Sequence, residues 1–346
     1  MKEVNELSSI LKQYFFIHGA RIALIAQMVI ALIKVRNVCL SEIAAGFAGN
    51  AQISSNEKRI SRFLKDFPFD MKSFCRFVSH FLPEGKWVIA VDRTVWEFGT
   101  QKINILMLAV VYKGVSIPLM WKMLTKDESS DIGKKGNSNT QERIELMQEF
   151  IRLFGKERIE AVCADREFIG DEWFGWLNNE GIQINIRIKN NQKISDARGN
   201  EKKASHLFRD LKVGQTKTLK GKRRCGDVFV WVSGTRLPSG ELLIVVSFNN
   251  PETSLDTYAK RWQIETMFAC LKTRGFRFES THLKDLERIS KLLAIVCIAF
   301  VWVYLTGSQL DNLKSIVIKK HGYRAKSIFR YGFDYLRNLL LNITTR

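Results

Sequence analysis

Residues 86–124 read KWVIAVDRTVWEFGTQKINILMLAVVYKGVSIPLMWKML, and this stretch decides the fold. The apolar run at 86–91 ends in Asp92, and Lys113-Gly114 separates two longer runs of apolar and β-branched residues. These longer runs are Ile103 to Tyr112 and Val115 to Leu124. A short turn that contains glycine, placed between two such runs, is typical of a β-hairpin. The stretch therefore predicts three antiparallel strands.

The chain downstream of this stretch alternates helix and strand patterns. In order, it predicts a helix, a buried strand, a helix and a strand, at Thr140 to Phe154, Arg158 to Ala164, Asp171 to Asn179 and Gln183 to Ile188. Strands that alternate with helices favour parallel pairing, because each crossover helix packs on a face of the sheet. We therefore expect an α/β fold with a mixed sheet flanked by helices.

Residues 1–85 are predicted to be helical throughout. Two helical segments joined by Gly49-Asn50 form a helix-turn-helix candidate, and the second segment carries Lys58, Arg59 and Arg62 largely on one side. Helical hairpins of other kinds have the same pattern. Two interpretations therefore stay open, which are DNA recognition by these cations and a plain helical bundle.

Residues 190–250 interrupt the alternation of helix and strand. Between Arg187 and Arg224 the sequence has 13 basic and 3 acidic residues, and strand patterns return at 228–233 and 242–248. A solvated loop and a basic β-rich insertion that faces a phosphate backbone both remain possible. The expected organisation is a helical region, a first part of the α/β core, a basic β-strand insertion and a second helical region, at 1–85, 86–189, 190–250 and 251–346.

The charge balance favours a polyanionic partner. The chain has 54 Lys and Arg against 35 Asp and Glu, a formal net charge of +19, and such an excess attracts nucleic acids and anionic membranes. The most apolar stretch, Leu292 to Leu305, is shorter than the roughly 20 residues that span a bilayer, so we interpret it as a buried core helix. The N-terminus lacks a secretory pattern. We therefore expect a cytoplasmic protein, nucleoid-associated in a bacterium, with no membrane partner.

Asp92 and Asp165 each follow an apolar strand pattern, in the words VIAVD and AVCAD. Carboxylates at the carboxyl ends of neighbouring strands converge on one crevice of an open α/β sheet. A single aspartate in this position is commonly a turn or helix-cap residue. Two of them in one predicted sheet indicate a site, without naming its reaction.

A third acid lies on a predicted helix with an unusual stripe. On an ideal helix Tyr258, Arg261, Glu265 and Lys272 fall on one side, whereas apolar residues such as Met267 gather on another face. A solvated face with pairing between residues four apart is the plain alternative. The tyrosine, and a tryptophan next to the arginine, favour a functional stripe.

The pattern Y-x2-R-x3-E-x6-K in this stripe resembles the YREK signature of DDE transposases of the insertion-sequence-four type. The words IAVDRTVW and CADREFIG, which contain Asp92 and Asp165, are similar to the contexts of that family's two aspartates. The resemblance covers about residues 85–345. It implies a ribonuclease-H-like core with a β-strand insertion before the glutamate helix.

The resemblance also implies the partners and the roles of the stripe. The partner is double-stranded DNA, both terminal inverted repeats and target, bound by a homodimer on paired ends. Tyr258, Arg261 and Lys272 would hold phosphates at the cleaved end, and Trp262 would stack on an unpaired base.

The chemistry that follows is metal-dependent phosphodiester cleavage and joining. Asp92, Asp165 and Glu265 offer hard oxygen ligands that suit two Mg²⁺ ions, or Mn²⁺ in their place. Two rival hypotheses stay open. One is a metal-dependent nuclease or resolvase without strand transfer, and the other is a basic DNA-binding regulator without enzymatic activity.

Overall fold

The computed structural model describes residues 2–98, 101–126, 136–320 and 322–342. The N-terminal region is helical, with α1 to α5 at Lys2–Lys12, Gly19–Val35, Leu40–Ala45, Ile53–Asp66 and Met71–Ser79. Helix α4 is amphipathic. It buries Ile60, Phe63 and Leu64, while Lys58, Arg59 and Arg62 lie on its exposed face. The separation of faces expected from the sequence is therefore confirmed, whereas DNA recognition by this helix stays a prediction.

The central strands and helices lie close to their predicted positions. In chain order they are β1 to β3, α6, β4, α7 and β5, at Trp87–Phe98, Gln101–Tyr112, Val115–Met123, Thr140–Phe154, Ile159–Ala164, Asp171–Asn179 and Ile184–Ile188. Lys113 and Gly114 both have positive φ, 45° and 92°, and Tyr112 pairs with Val115 across the turn. Positive φ at both central residues is the geometry of a tight hairpin turn whose twist matches that of the strands.

The sheet has mixed pairing and continues beyond the first five strands. Its order is β3-β2-β1-β4-β5 and then β11-β10-β8, with β9 paired to β10, while β6 and β7 pair separately. Strands β6 to β11 are Lys193–Ser195, Glu201–Lys203, Thr216–Thr218, Arg223–Cys225, Val228–Arg236 and Leu242–Ser247. Strand β1 is antiparallel to β2 and parallel to β4. The expected ribonuclease-H-like α/β fold is confirmed, and strands from the basic region extend its sheet through β5.

Four α-helices follow the sheet in the described part of the chain, and the longest is a core helix. Helices α8 to α11 are Ser254–Ala259, Trp262–Leu271, Leu286–Leu313 and Ile328–Asn342. Among the described residues α10 is the one helix long and apolar enough to cross a membrane by length and composition, but 78% of its most apolar window is buried inside the protein. The buried helix expected at 292–305 is thus present and is longer than the apolar run indicated.

A single hydrophobic cluster joins the two ends of the chain to the sheet. Its buried members run from Leu7 in α1 to Leu340 in α11, and they include strand residues such as Ile89. Helix α2 contacts both α10 and α11. The N-terminal helices and the C-terminal helices therefore share one core with the sheet. The four-part division at residues 85, 189 and 250 stays a prediction.

Two glycines let α10 and α11 approach closely. A Cβ atom at Gly332 would overlap the carbonyl oxygen of Val303, and one at Gly307 would overlap that of Ile328. Neither glycine has a positive φ. Space between the two backbones, and not backbone conformation, is therefore what requires glycine at both positions.

We expect Gly332→Ala to lower the free energy of unfolding by about 1–3 kcal/mol, because the added methyl group has no room between the helices. Urea unfolding followed by circular dichroism measures this change. Gly175→Ala is the matched control, since a Cβ at this position in α7 meets no atom within 4 Å. The control should be neutral or stabilising by up to about 1 kcal/mol. Equal effects of the two substitutions would contradict the close approach.

Candidate active site

Asp92 and Asp165 occupy equivalent positions on two neighbouring strands. The parallel pairing of β1 with β4 extends to Val91 and Ala164, and each aspartate is the next residue. Each carboxylate accepts a hydrogen bond from the following backbone N–H, at 2.7 Å from Arg93 and 2.6 Å from Arg166. The prediction that β1 ends before Asp92 is wrong. Antiparallel pairing with β2 carries β1 on to Phe98 after it has separated from β4.

The sequence predicted that Tyr258, Arg261, Glu265 and Lys272 form a stripe on one continuous helix. This prediction is wrong, because the helix is interrupted. Helix α8 ends at Ala259 and α9 begins after Arg261. Across this break the N–H of Arg261 bonds to the carbonyl of Tyr258, three residues back instead of four. A tighter turn rotates each residue further about the axis. Tyr258 and Arg261 therefore lie on the same side of this turn, and both side chains are buried.

Arg261 joins two of the three predicted catalytic acids. Its Nη1 lies 2.8 Å from Asp92 Oδ2, and its Nη2 lies 2.8 Å from Glu265 Oε1. The arginine side chain is only 3% exposed, whereas those of Asp92 and Glu265 are 15% and 42% exposed. Asp165 acts electrostatically on both Asp92 and Arg261. One buried guanidinium thus stands among all three acids.

The surroundings make the charged form of Asp92 costly. Burial raises its pKa to about 6, and the nearby charges of Glu167 and Asp165 act in the same direction. Arg261 and the N–H of Arg93 oppose this shift without cancelling it. The site therefore favours the neutral form of Asp92, chiefly because its carboxylate is removed from water.

Tyr258 is buried, so its side chain is inaccessible to solvent and to a DNA phosphate. It is 1% exposed, and it packs with Leu243 and Val245 of β11. Its hydroxyl has no hydrogen-bond partner among the described residues. Burial raises the pKa of the phenol, and Arg261 opposes that rise. A phosphate role for Tyr258 stays a prediction that would require this side chain to become accessible.

The remaining predicted DNA-binding residues lie in different settings. Trp262 is 52% exposed, and its ring centroid lies 5.2 Å from Cζ of Arg261. Lys272 follows α9, where its Nζ lies 3.4 Å from Val95 O and 3.0 Å from a carboxylate oxygen of Glu279. In the described part of the chain, no hydrogen bond or ion pair links the acids of the site to the α4 cations Lys58, Arg59 and Arg62.

A second arginine–glutamate pair beside the site was missed at the sequence level. Arg93 donates from Nε and Nη2 to the two carboxylate oxygens of Glu167, both at 3.2 Å, and from Nη1 and Nη2 to the side-chain oxygens of Asn104 and Asn137. The buried Arg143 donates to the carbonyl of Glu167 at 3.0 Å. Arg93 directly follows Asp92, and Glu167 comes two residues after Asp165. Both residues of the pair therefore lie within the two motif words, from which the sequence could have indicated them.

The three carboxylates are donors of the type that a divalent ion prefers. In this structure, however, they are arranged around the guanidinium of Arg261. Carboxylate oxygens are the ligands that Mg²⁺ and Mn²⁺ prefer, and Asp92, Asp165 and Glu265 supply them around Arg261. Within the described ranges, however, no group of three or more Asp, Glu, His or Cys residues is positioned to hold a metal. For these acids to share a cation, Arg261 would have to leave its place between Asp92 and Glu265.

Comparison with known proteins gives one family. The family model described as "Transposase DDE domain" matches residues 83–302, which is more than half of the chain. No curated protein matches. Among solved structures the chain is similar to a cryo-EM structure of the piggyBac transposase synaptic complex with hairpin DNA. The identity is 10% and the TM-score 0.47, over 100% of this chain and 80% of that one.

We expect the stability of Asp92→Asn relative to the wild type to increase between about pH 4 and pH 6, measured without divalent ions. An aspartate in the unfolded chain titrates near about 4, whereas the pKa of folded Asp92 is about 6. The folded state thus binds this proton more tightly, and its advantage is lost as the pH rises through that window. Asparagine lacks the titration.

Urea unfolding at several pH values in EDTA measures this difference. Asp210→Asn is the matched control, because a hydrogen bond from Lys217 lowers the pKa of Asp210 and places its titration below the window. A difference between Asp92→Asn and the wild type that stays constant with pH would contradict the electrostatic description of the site.

Proposed function

Because this chain belongs to the transposase DDE domain family, we propose that it is a transposase of the insertion-sequence-four type. In this proposal it binds the terminal inverted repeats of a transposon, cleaves the DNA and joins the 3′ ends to target DNA by cut-and-paste transfer. Asp92, Asp165 and Glu265 would form the catalytic triad. The observation that carries the proposal is the convergence of these acids, from β1, β4 and α9, on the single guanidinium of Arg261.

We assign the three acids to two divalent ions, Mg²⁺ or Mn²⁺. Asp92, Asp165 and Glu265 would hold these ions through their carboxylate oxygens. When bound, such a pair lowers the pKa of the attacking water or 3′-hydroxyl and neutralises charge on the leaving oxygen. The support is chemical, since three carboxylates, which are hard oxygen donors, lie around one site.

Arg261 would have two alternative partners in this scheme. Without a divalent ion, its guanidinium neutralises Asp92 and Glu265, which would otherwise repel each other and a DNA phosphate. Once cations satisfy the acids, the same planar fork is free to bind a phosphate of the transposon end in a bidentate manner. The short break between α8 and α9 gives this residue a backbone position outside regular helix.

Other residues near the site would handle the DNA end. Trp262 is half-exposed next to Arg261, and this exposure suits stacking on an unpaired base. Lys272 would supply a point charge for a phosphate, and Tyr258 would join it if the DNA made its buried phenol accessible. The cations of α4, Lys58, Arg59 and Arg62, would contact the transposon end from the N-terminal region, and a homodimer would hold the paired ends.

Substitution of either strand aspartate should separate binding from cutting. We expect Asp92→Ala and Asp165→Ala to reduce cleavage by several orders of magnitude, because each removes ligands of the proposed ions, while binding of transposon-end DNA changes little. Gel shifts in Ca²⁺ and cleavage assays in Mg²⁺ measure the two quantities. Asp171→Ala, at the exposed start of α7, is the control and should cleave as the wild type does.

Normal cutting by either variant in Mg²⁺ would exclude the proposed triad. Transfer of a pre-cut end into target DNA by the wild type distinguishes a transposase from a nuclease or resolvase. Cleavage without any transfer would favour that rival activity.

Removal of the guanidinium should change metal binding in the DNA-free protein. We expect Arg261→Ala to bind Mn²⁺ more tightly than the wild type, because the cation that competes for Asp92 and Glu265 is gone, and Arg261→Lys to lie between the two. Electron paramagnetic resonance titration of free Mn²⁺ measures this affinity. The same Arg261→Ala protein should cleave poorly, since its phosphate contact is lost. Weaker Mn²⁺ binding by Arg261→Ala would contradict the competition.

A further inference from the structure

The connection between α10 and α11 forms a small, well-anchored β-hairpin. Its arms are residues 317–319 and 323–325, which are joined by hydrogen bonds from Ala325 N to Val317 O (2.8 Å) and from Lys319 N to Tyr323 O (2.9 Å). Ile318 and Arg324 pair between these bonds. Residue 321 lies outside the described residues.

Asp311 at the end of α10 fixes both arms of this hairpin. One carboxylate oxygen accepts the backbone N–H of Ile316 at 2.8 Å, and the other accepts Nη1 of Arg324 at 2.8 Å. Ile316 is buried, so the base of the hairpin belongs to the core. The hairpin therefore has a defined orientation and is not a loose loop.

The hairpin exposes large apolar side chains to solvent. Val317, Ile318 and Tyr323 are 70%, 67% and 75% exposed, and Leu313 before it is 78% exposed. A cluster of exposed apolar residues on a short segment costs solvation free energy and typically marks a contact surface. The long apolar helix α10 is largely buried, yet the segment that follows it is not.

The same segment is strongly basic. Residues 312–327 contain five lysines and arginines and no aspartate or glutamate. Arg324 pairs with Asp311, and Lys326 lies 3.9 Å from Asp334. No ion pair to Lys314, Lys319 or Lys320 is present among the residues that the structure describes. Three exposed cations thus surround the apolar side chains.

Each face of the hairpin carries both apolar and basic side chains because of the pairing register. Because Ile318 pairs with Arg324, Lys319 lies opposite Tyr323, and alternate residues point to opposite faces. One face therefore carries Val317, Lys319 and Tyr323, and the other carries Ile318 and Arg324. Neither face is a purely apolar surface that a protein core would cover.

We propose that this hairpin is a second DNA-binding element, which inserts into a groove of duplex DNA. Lys319 and Lys320 would contact the backbone phosphates. Val317, Ile318 and Tyr323 would make apolar contacts in the groove. A two-stranded ribbon fits the major groove, and apolar side chains flanked by cations are also typical of minor-groove wedges. The inference rests on the proposed function, which makes duplex DNA the substrate.

A second copy of the chain is a poorer occupant of this surface. Contact of two identical hairpins about a twofold axis would bring their unpaired lysines together. Protein–protein interfaces are depleted in lysine, particularly at the centre. The excess of cations is instead complementary to the phosphate backbone.

Fluorescence anisotropy with a duplex of arbitrary sequence, in EDTA and at several salt concentrations, tests the proposal. We expect Lys319→Gln/Lys320→Gln to reduce the slope of log affinity against log salt by about 2, since each lost phosphate contact contributes about 0.9. The charge-conserving control, Lys319→Arg/Lys320→Arg, should keep the slope. Val317→Ser/Ile318→Ser should weaken binding about fivefold with an unchanged slope.

An unchanged affinity and slope in both groups of variants would overturn the proposal. A second outcome would also overturn it. If sedimentation shows a dimer without DNA, and Val317→Ser/Ile318→Ser dissociates this dimer without loss of DNA affinity, the hairpin is an interface between copies of the chain. Circular dichroism and thermal unfolding verify that each variant is folded.

The test is separable from that of the proposed catalytic function. Asp92→Ala, which removes proposed cleavage, should bind DNA as the wild type does and respond equally to Lys319→Gln/Lys320→Gln. A wild type that binds through the hairpin but never cuts would exclude the proposed reaction alone. A wild type that cuts DNA but binds independently of the hairpin would exclude the present inference alone.

Discussion

A buried arginine among acids is the interaction on which the site depends. Arg261 is almost inaccessible to solvent, and the desolvation free energy of a buried, unpaired guanidinium would be prohibitive. Its bonds to Asp92 and Glu265 offset that desolvation free energy. The bond to Asp92 connects β1 to a residue 169 positions later in the chain, and the bond to Glu265 joins that residue to α9. At the tight turn between α8 and α9, Arg261 is buried and Trp262 stays half-exposed.

The candidate site combines opposite charge requirements within one basic protein. The net charge of +19 attracts a phosphate backbone, yet Asp92, Asp165, Glu167 and Glu265 would repel the same phosphates at the site. Arg93 pairs with Glu167, and Arg261 pairs with Asp92 and Glu265, so two arginines neutralise three of these four acids. Burial raises the pKa of Asp92 to about 6 even though Arg261 acts in the opposite direction, so the charged form of this acid is costly in the DNA-free protein.

Most of the architecture could be predicted because local signals agreed with the global fold. The Lys113-Gly114 turn and the apolar runs on either side specified a hairpin, and α6 and α7 were predicted at their observed bounds. The periodic pattern failed in two places. Polar residues after Asp92 concealed the continuation of β1, which pairing with β2 determines. An ideal angle per residue could not reveal the change to three-residue hydrogen bonds near Arg261, so Tyr258 was assigned to an accessible stripe instead of the core.

The most direct test is anomalous diffraction near the manganese edge from crystals of the protein with transposon-end DNA and Mn²⁺. The account predicts density within about 2.0–2.3 Å of carboxylate oxygens from Asp92 and from Asp165 or Glu265, with Arg261 withdrawn from Asp92 and turned to a phosphate. Manganese bound elsewhere on the DNA, with Arg261 still joining Asp92 to Glu265, would contradict it.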